Sequence, residues 1–122
     1  MKYSSSFTHD LEFGESAEDW VHQLFTGSKG FKVEVKLDSM AHMTGNVFIE
    51  YISRGKPSGI STTDADYWVY KIAELNSAII LDVSKLKEKL RSYHKSNMYI
   101  KKGGDNDTSI GFLIPISELL KQ

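Results

Sequence analysis

The sequence predicts one α/β domain spanning residues 1–122, a mixed β-sheet flanked by helices in the order α-β-β-α-β-α-β-β-α. Three observations predict it. Stretches with apolar residues at helical spacing alternate with strand-like stretches. Two pairs of adjacent strands interrupt that alternation. The composition, 40% hydrophobic and 25% charged, is that of a globular chain. Proline occurs only at Pro57 and Pro115, and there is no repeat or low-complexity tract, so no internal domain boundary is expected.

The first helix is expected over Glu15–Phe25, where Ala17, Trp20, Val21, Leu24 and Phe25 form an apolar stripe and Gly27 and Gly30 end it. Glu15, Glu18 and His22 share another face. "FKVEVKLD" alternates strictly, with Phe31, Val33, Val35 and Leu37 opposite Lys32, Glu34, Lys36 and Asp38, which predicts a half-buried strand. "NVFIEYI" is the second strand, with Glu50 between Phe48 and Ile52 on one face by the period of two. "SRGKPSG" is a turn by composition. Thr63 is the expected N-cap of a helix over Asp64–Glu74, with Ala65, Trp68, Val69, Ile72 and Ala73 inward. "AIILDV" reads as a buried strand and Ser84 as the cap of a basic helix through Lys95. "NMYIKK" and "SIGFLIP" form a hairpin across "GGDND", and "ISELLK" is a closing helix.

Cysteine is absent, which excludes disulfides, thiolate zinc sites and a cysteine nucleophile, and suits a reducing cytoplasm. No apolar run approaches the roughly 18 residues of a membrane span, and "MKYSSSFTHD" lacks an apolar signal core. The net charge is -1 but uneven. Residues 1–84 carry seven Lys/Arg against twelve Asp/Glu, and residues 85–122 eight against four. A basic stripe from Lys85 to Lys95 can meet a polyanion such as a nucleic-acid backbone, or serve as a solvated helix face.

Carboxylates on strands are the unusual feature. A buried carboxylate needs a partner, a proton or a cation. If the strands holding Asp38 and Glu50 pair antiparallel through residues 39–46, the two converge at one end of a sheet. Together with carbonyls, water and Glu18 they would make a hard-oxygen site suited to Mg²⁺. The alternative is that Glu50 faces solvent and Asp38 caps a turn.

The segment "FGESAEDWVHQLF … VKLDSMAHMTGNVFIEYISRGKPSG" resembles the PD-(D/E)XK nuclease superfamily, the restriction-endonuclease-like fold. Within it, the chain is similar to small phage-type nucleases and, more distantly, to Holliday junction resolvases. The matching elements are Gly14-x-x-x-Glu18, an Asp ending a strand (Asp38), and Glu50-Tyr51-Ile52 followed by Ser53-Arg54, over roughly residues 13–73. The resemblance implies a metal-dependent endonuclease acting on DNA, including branched or flapped DNA, in a bacterial or phage-infected cytoplasm. It implies Mg²⁺ or Mn²⁺ on Asp38 and Glu50, with the Tyr51 carbonyl and Glu18 completing the site. A homodimer is compatible with it.

The family's usual lysine, two residues after the glutamate, is here Ile52, which carries no charge. Three explanations compete. The cationic role has moved to Lys56, Arg54 or Lys71, the last one helical turn beyond Tyr67. Or the chain is a nucleic-acid-binding module with a disabled site. Or the substitution was introduced. Arg54, Lys56, Lys85, Lys89 and Arg91 are the expected nucleic-acid contacts.

Overall fold

The computed structural model describes residues 31–72 and 76–121, so the expected first helix, with Glu18 and His22, lies outside the described residues. The described elements are β1 (Val33–Asp38), α1 (Ala41–Thr44), β2 (Asn46–Ser53), β3 (Lys56–Pro57), a 3₁₀ turn (Gly59–Ser61), β4 (Tyr67–Ile72) and β5 (Ala78–Asp82). Then come α2 (Val83–Lys95), β6 (Ile100–Gly103), a turn at Asp105–Asp107, β7 (Ser109–Pro115) and α3 (Ile116–Leu119).

The class is mixed α/β, but the strands form two sheets where one was expected. The first has the order β1-β4-β5 and the second β3-β2-β7-β6. β1 runs parallel to β4, with Val33 opposite Tyr67 and Asp38 opposite Ile72. The expected antiparallel pairing of β1 with β2 does not occur; β2 pairs with β3 and β7 instead.

Of the expected helix over Asp64–Glu74, Tyr67–Ile72 is a strand and Asp64–Asp66 is an irregular lead into it. Both periods fit this stretch, because β4 is buried on both faces. Trp68, Tyr70 and Ile72 belong to the main core, while Val69 is fully buried on the opposite face. An aromatic and β-branched run of this kind favours a strand, and a doubly buried strand loses the alternation that would have identified it. The expected capping residues have other work. Thr63 Oγ1 accepts the Ala65 N–H within a local turn. Asp64 pairs with Lys32 Nζ at 2.7 Å, and Asp66 accepts the Lys32 N–H at 2.8 Å, docking the start of β1 beside β4.

The core lies where the two sheets and α2 meet. Val47 and Ile49 of β2, Ile114 of β7 and Trp68 of β4 are its most enclosed side chains. From α2 come Val83, Leu86, Leu90 and Tyr93, at the spacing of one helix face. The Tyr70 hydroxyl donates to the Phe48 carbonyl at 2.8 Å, tying β4 of the first sheet to β2 of the second.

The β2–β3 hairpin turns through Arg54 (φ 50°) and Gly55 (φ 78°), two consecutive left-handed residues, as a two-residue type I′ loop requires. α2 is capped by Asp82 rather than by the expected Ser84. Asp82 Oδ1 accepts the Lys85 N–H at 3.0 Å and the Ser84 hydroxyl at 2.7 Å.

Those bonds, the Lys85 N–H first, hold the Asp82 carboxyl below its ordinary value of 3.8. A depressed folded-state pKa contributes stability that is complete above the unfolded value and lost as pH falls through the folded one. Asp82→Asn keeps an acceptor and removes the titration. Below the ordinary carboxylate range, helical circular dichroism should therefore fall more steeply in the parent than in this variant. Parallel acid curves would remove Asp82 as a source of acid sensitivity.

Candidate functional site

Asp38 ends β1, and its Oδ1 accepts the N–H groups of Met40 at 2.8 Å and Ala41 at 2.7 Å. That is a turn-capping role. No donor to Oδ2 is found among the described residues. Glu50 stands on the other sheet, and its Oε1 accepts the hydroxyl of buried Ser109 at 2.6 Å. The mid-strand glutamate is thus anchored across the β2–β7 pair. Because β1 and β2 do not pair, the two carboxylates are not brought together at one sheet end as expected.

The Tyr51 carbonyl accepts both the Ser58 N–H at 3.0 Å and the Ser61 hydroxyl at 2.8 Å, so its lone pairs are committed within the protein. Ile52 does not share a face with Glu50. The register passes from Glu50↔Gly111 to Ile52↔Ile110, leaving Tyr51 as an extra residue in β2. Ile110 and Gly111 lie on opposite faces of β7, and so do their partners. The period-of-two argument fails because a bulge cannot be read from spacing.

Lys71 sits on a strand, not on a helix, and its Nζ donates to the Ile72 carbonyl at 3.0 Å. Arg54 and Lys56 are exposed in and beside the hairpin turn. Lys89 Nζ donates to the carbonyls of Glu118 and Lys121, each at 2.6 Å, and so closes the end of α3. Lys85 lies along a groove it shares with Asp82, Glu88 and Glu118. Arg91 lines a different cleft, with Lys87 and His94.

Sequence reasoning passed over one arrangement. Glu34-Val35-Lys36 on β1 has the same Glu-x-Lys spacing that Glu50-x-Ile52 lacks, and Asp38 follows two residues later. Glu34, Lys36 and Asp38 share one strand face, the face of Trp68, Tyr70 and Ile72 in the parallel neighbour. Lys36 Nζ is 3.7 Å from Glu34 Oε2 and 5.2 Å from the Trp68 ring centroid. The buried Trp68 indole N–H meets no acceptor at full hydrogen-bond geometry among the described residues, although it faces the Tyr70 hydroxyl and opposes the rise in its pKa. Burial pushes the Tyr70 hydroxyl far above its ordinary pKa, and the Asp38 carboxylate adds to the effect. The signal was available: strict alternation put both carboxylates and the lysine on one polar side.

Among the described residues, no three His, Asp or Glu side chains form a metal-holding group. Glu34 and Asp38 stand four residues apart on a strand, roughly 13 Å between Cα atoms, and do not grip one ion together. Asp38 Oδ2 suits a hydrated Mg²⁺, which keeps most of its waters and takes one or two carboxylates. Asp38 and Glu50, expected to hold one ion together, belong to different sheets.

No helix among the described residues is long and apolar enough to cross a membrane. Comparison with family models, with curated proteins and with solved structures found no match.

Proposed function

We propose that the chain is a metal-dependent phosphodiesterase of the endonuclease type acting on DNA, with Lys36 and Asp38 of β1 at the centre of its site. One observation carries this reading. Lys36 stands on one strand face between two carboxylates, over the ring of buried Trp68. The resemblance described above supplies the reaction class.

Asp38 is the described residue suited to hold Mg²⁺ or Mn²⁺, its Oδ1 fixed by two backbone N–H groups. The chemistry such an ion supplies is polarisation of a phosphodiester and a lowered pKa for an attacking water. Lys36 offers a positive charge beside the same phosphate, where negative charge grows in the transition state. Glu34 limits the swing of Lys36 by ion pairing, and the Trp68 ring supports the ammonium group from below.

Asp38→Asn is the discriminating variant. The amide oxygen still accepts the Met40 and Ala41 N–H bonds, so the turn is kept while the charge is lost. Mg²⁺-dependent nicking of plasmid or branched DNA should fall by at least about a hundredfold, with the melting temperature within a few degrees of the parent. Undiminished cleavage by this variant would overturn the assignment.

A second reading is favoured by the placement of Asp38 and Glu50 on different sheets: a nucleic-acid-binding module that does not cleave. It predicts salt-dependent DNA binding by the parent with no metal-dependent product.

A further inference from the structure

We propose that the cleft between α2 and β2 is a nucleotide subsite that takes one unit of a single nucleic-acid strand. The base lies against Tyr51 and His94, and the phosphate lies on Lys87 and Arg91. The inference rests on the nucleic-acid part of the reading above, but it uses no residue of β1.

Lys87, Arg91 and His94 fall on one face of α2, at the i, i+4 and i+7 positions. Opposite them, Tyr51 of β2 is half-buried. It stacks obliquely on Phe112 at 4.9 Å between ring centroids and meets the His94 ring edge-on at 5.8 Å. The cleft has a volume of about 320 Å³, with Leu90 and Ile60 as its apolar floor. That is room for one ring and not for a duplex.

Charge decides which side of α2 takes an anion. No carboxylate lines this cleft among the described residues. The larger groove on the other side, about 830 Å³, sets Asp82, Glu88 and Glu118 among Lys85, Lys89 and Lys121. There the lysines are neutralised or, as with Lys89, bound to carbonyls. Lys87 makes only a 3.5 Å contact to the Thr63 carbonyl, and Arg91 is exposed. Unpaired cations beside an aromatic wall are what a strand with unstacked bases binds.

The test is fluorescence anisotropy with a labelled oligothymidylate in EDTA, so that cleavage plays no part. Arg91→Ala should weaken binding about tenfold, the size of one lost contact of this kind. It should also reduce the salt slope by about one. Exposed His94→Ala should weaken binding several-fold, and Lys121→Ala, in the other groove and paired with Glu118 at 3.0 Å, should leave it unchanged. Equal losses in Lys121→Ala and Arg91→Ala, or none in either, overturn the subsite. Competition by free thymidine monophosphate at the concentration of the oligonucleotide overturns the assignment to a strand. Cleavage that fails in Asp38→Asn while oligonucleotide binding persists separates this inference from the proposed reaction.

Discussion

Lys36→Ala should lower Mg²⁺-dependent DNA cleavage by about two to three orders of magnitude, the effect of removing one preorganised group that faces developing charge. The fold should survive. The side chain is nearly half exposed, and its contact with Trp68 is worth about 0.5–1 kcal/mol in such a setting. Lys36→Arg restores the charge on a longer, planar head, so activity should return in part. Ile52→Lys should gain nothing, because the bulge at Tyr51 turns position 52 away from the face of Glu50. Product formation over time by gel, with folding checked by thermal melting, reads all three variants. Full activity in Lys36→Ala, or a gain in Ile52→Lys, would return the cation to the β2 register.

Ile49→Ala should cost about 2–5 kcal/mol of folding stability. Ile49 is fully buried at the centre of β2, opposite Phe112, with Val47 and Ile114 equally enclosed. The lost methyl groups leave a cavity in a region built from both sheets, which limits how far the walls can collapse. Against a typical domain stability of about 5–15 kcal/mol, that loss is large. Ile49→Val, which removes one carbon, should cost about 0.5–1.5 kcal/mol. Urea unfolding at constant slope measures both. A cost below about 1 kcal/mol for the alanine variant would mean that Ile49 is not central to the core.

The strands that alternate were legible in the sequence. β1 and β2, the β6–β7 hairpin and the basic helix all appear where their patterns put them, within three residues at each end. The helix α2 was clear because Leu86, Leu90 and Tyr93 recur at one period only. β4 was not legible, because a strand buried on both faces satisfies the helical template equally well. Pairing was the harder failure. Adjacent strands usually pair, so β1 and β2 were expected together, yet nothing local to either encodes that their partners are β4 and β7.

The candidate site suffered from the same gap. Asp38 and Glu50 are where the sequence put them along the chain, but on different sheets. Their own hydrogen bonds, to Met40 and Ala41 for one and to Ser109 for the other, depend on contacts that spacing does not reveal. The Glu34-x-Lys36 pair could have been found from the sequence. The Glu50 strand lacks the lysine of the motif, and the preceding strand has the spacing intact.

The pairing of β2 with β7 also bears on how the chain is made. Glu50 and its anchor Ser109 lie 59 residues apart, and β1 must wait for β4 across the whole β2–β3 hairpin. During synthesis β2 emerges with its apolar face complete and its long-range neighbour still unmade. Only when β7 leaves the ribosome can the second sheet close over Val47 and Ile49. Contacts this distant in sequence slow folding and prolong the exposure of unpaired edges. A nascent chain stalled before residue 109 should therefore be held open and protease-sensitive around β2. The same chain released after Pro115 should gain protection there in one step.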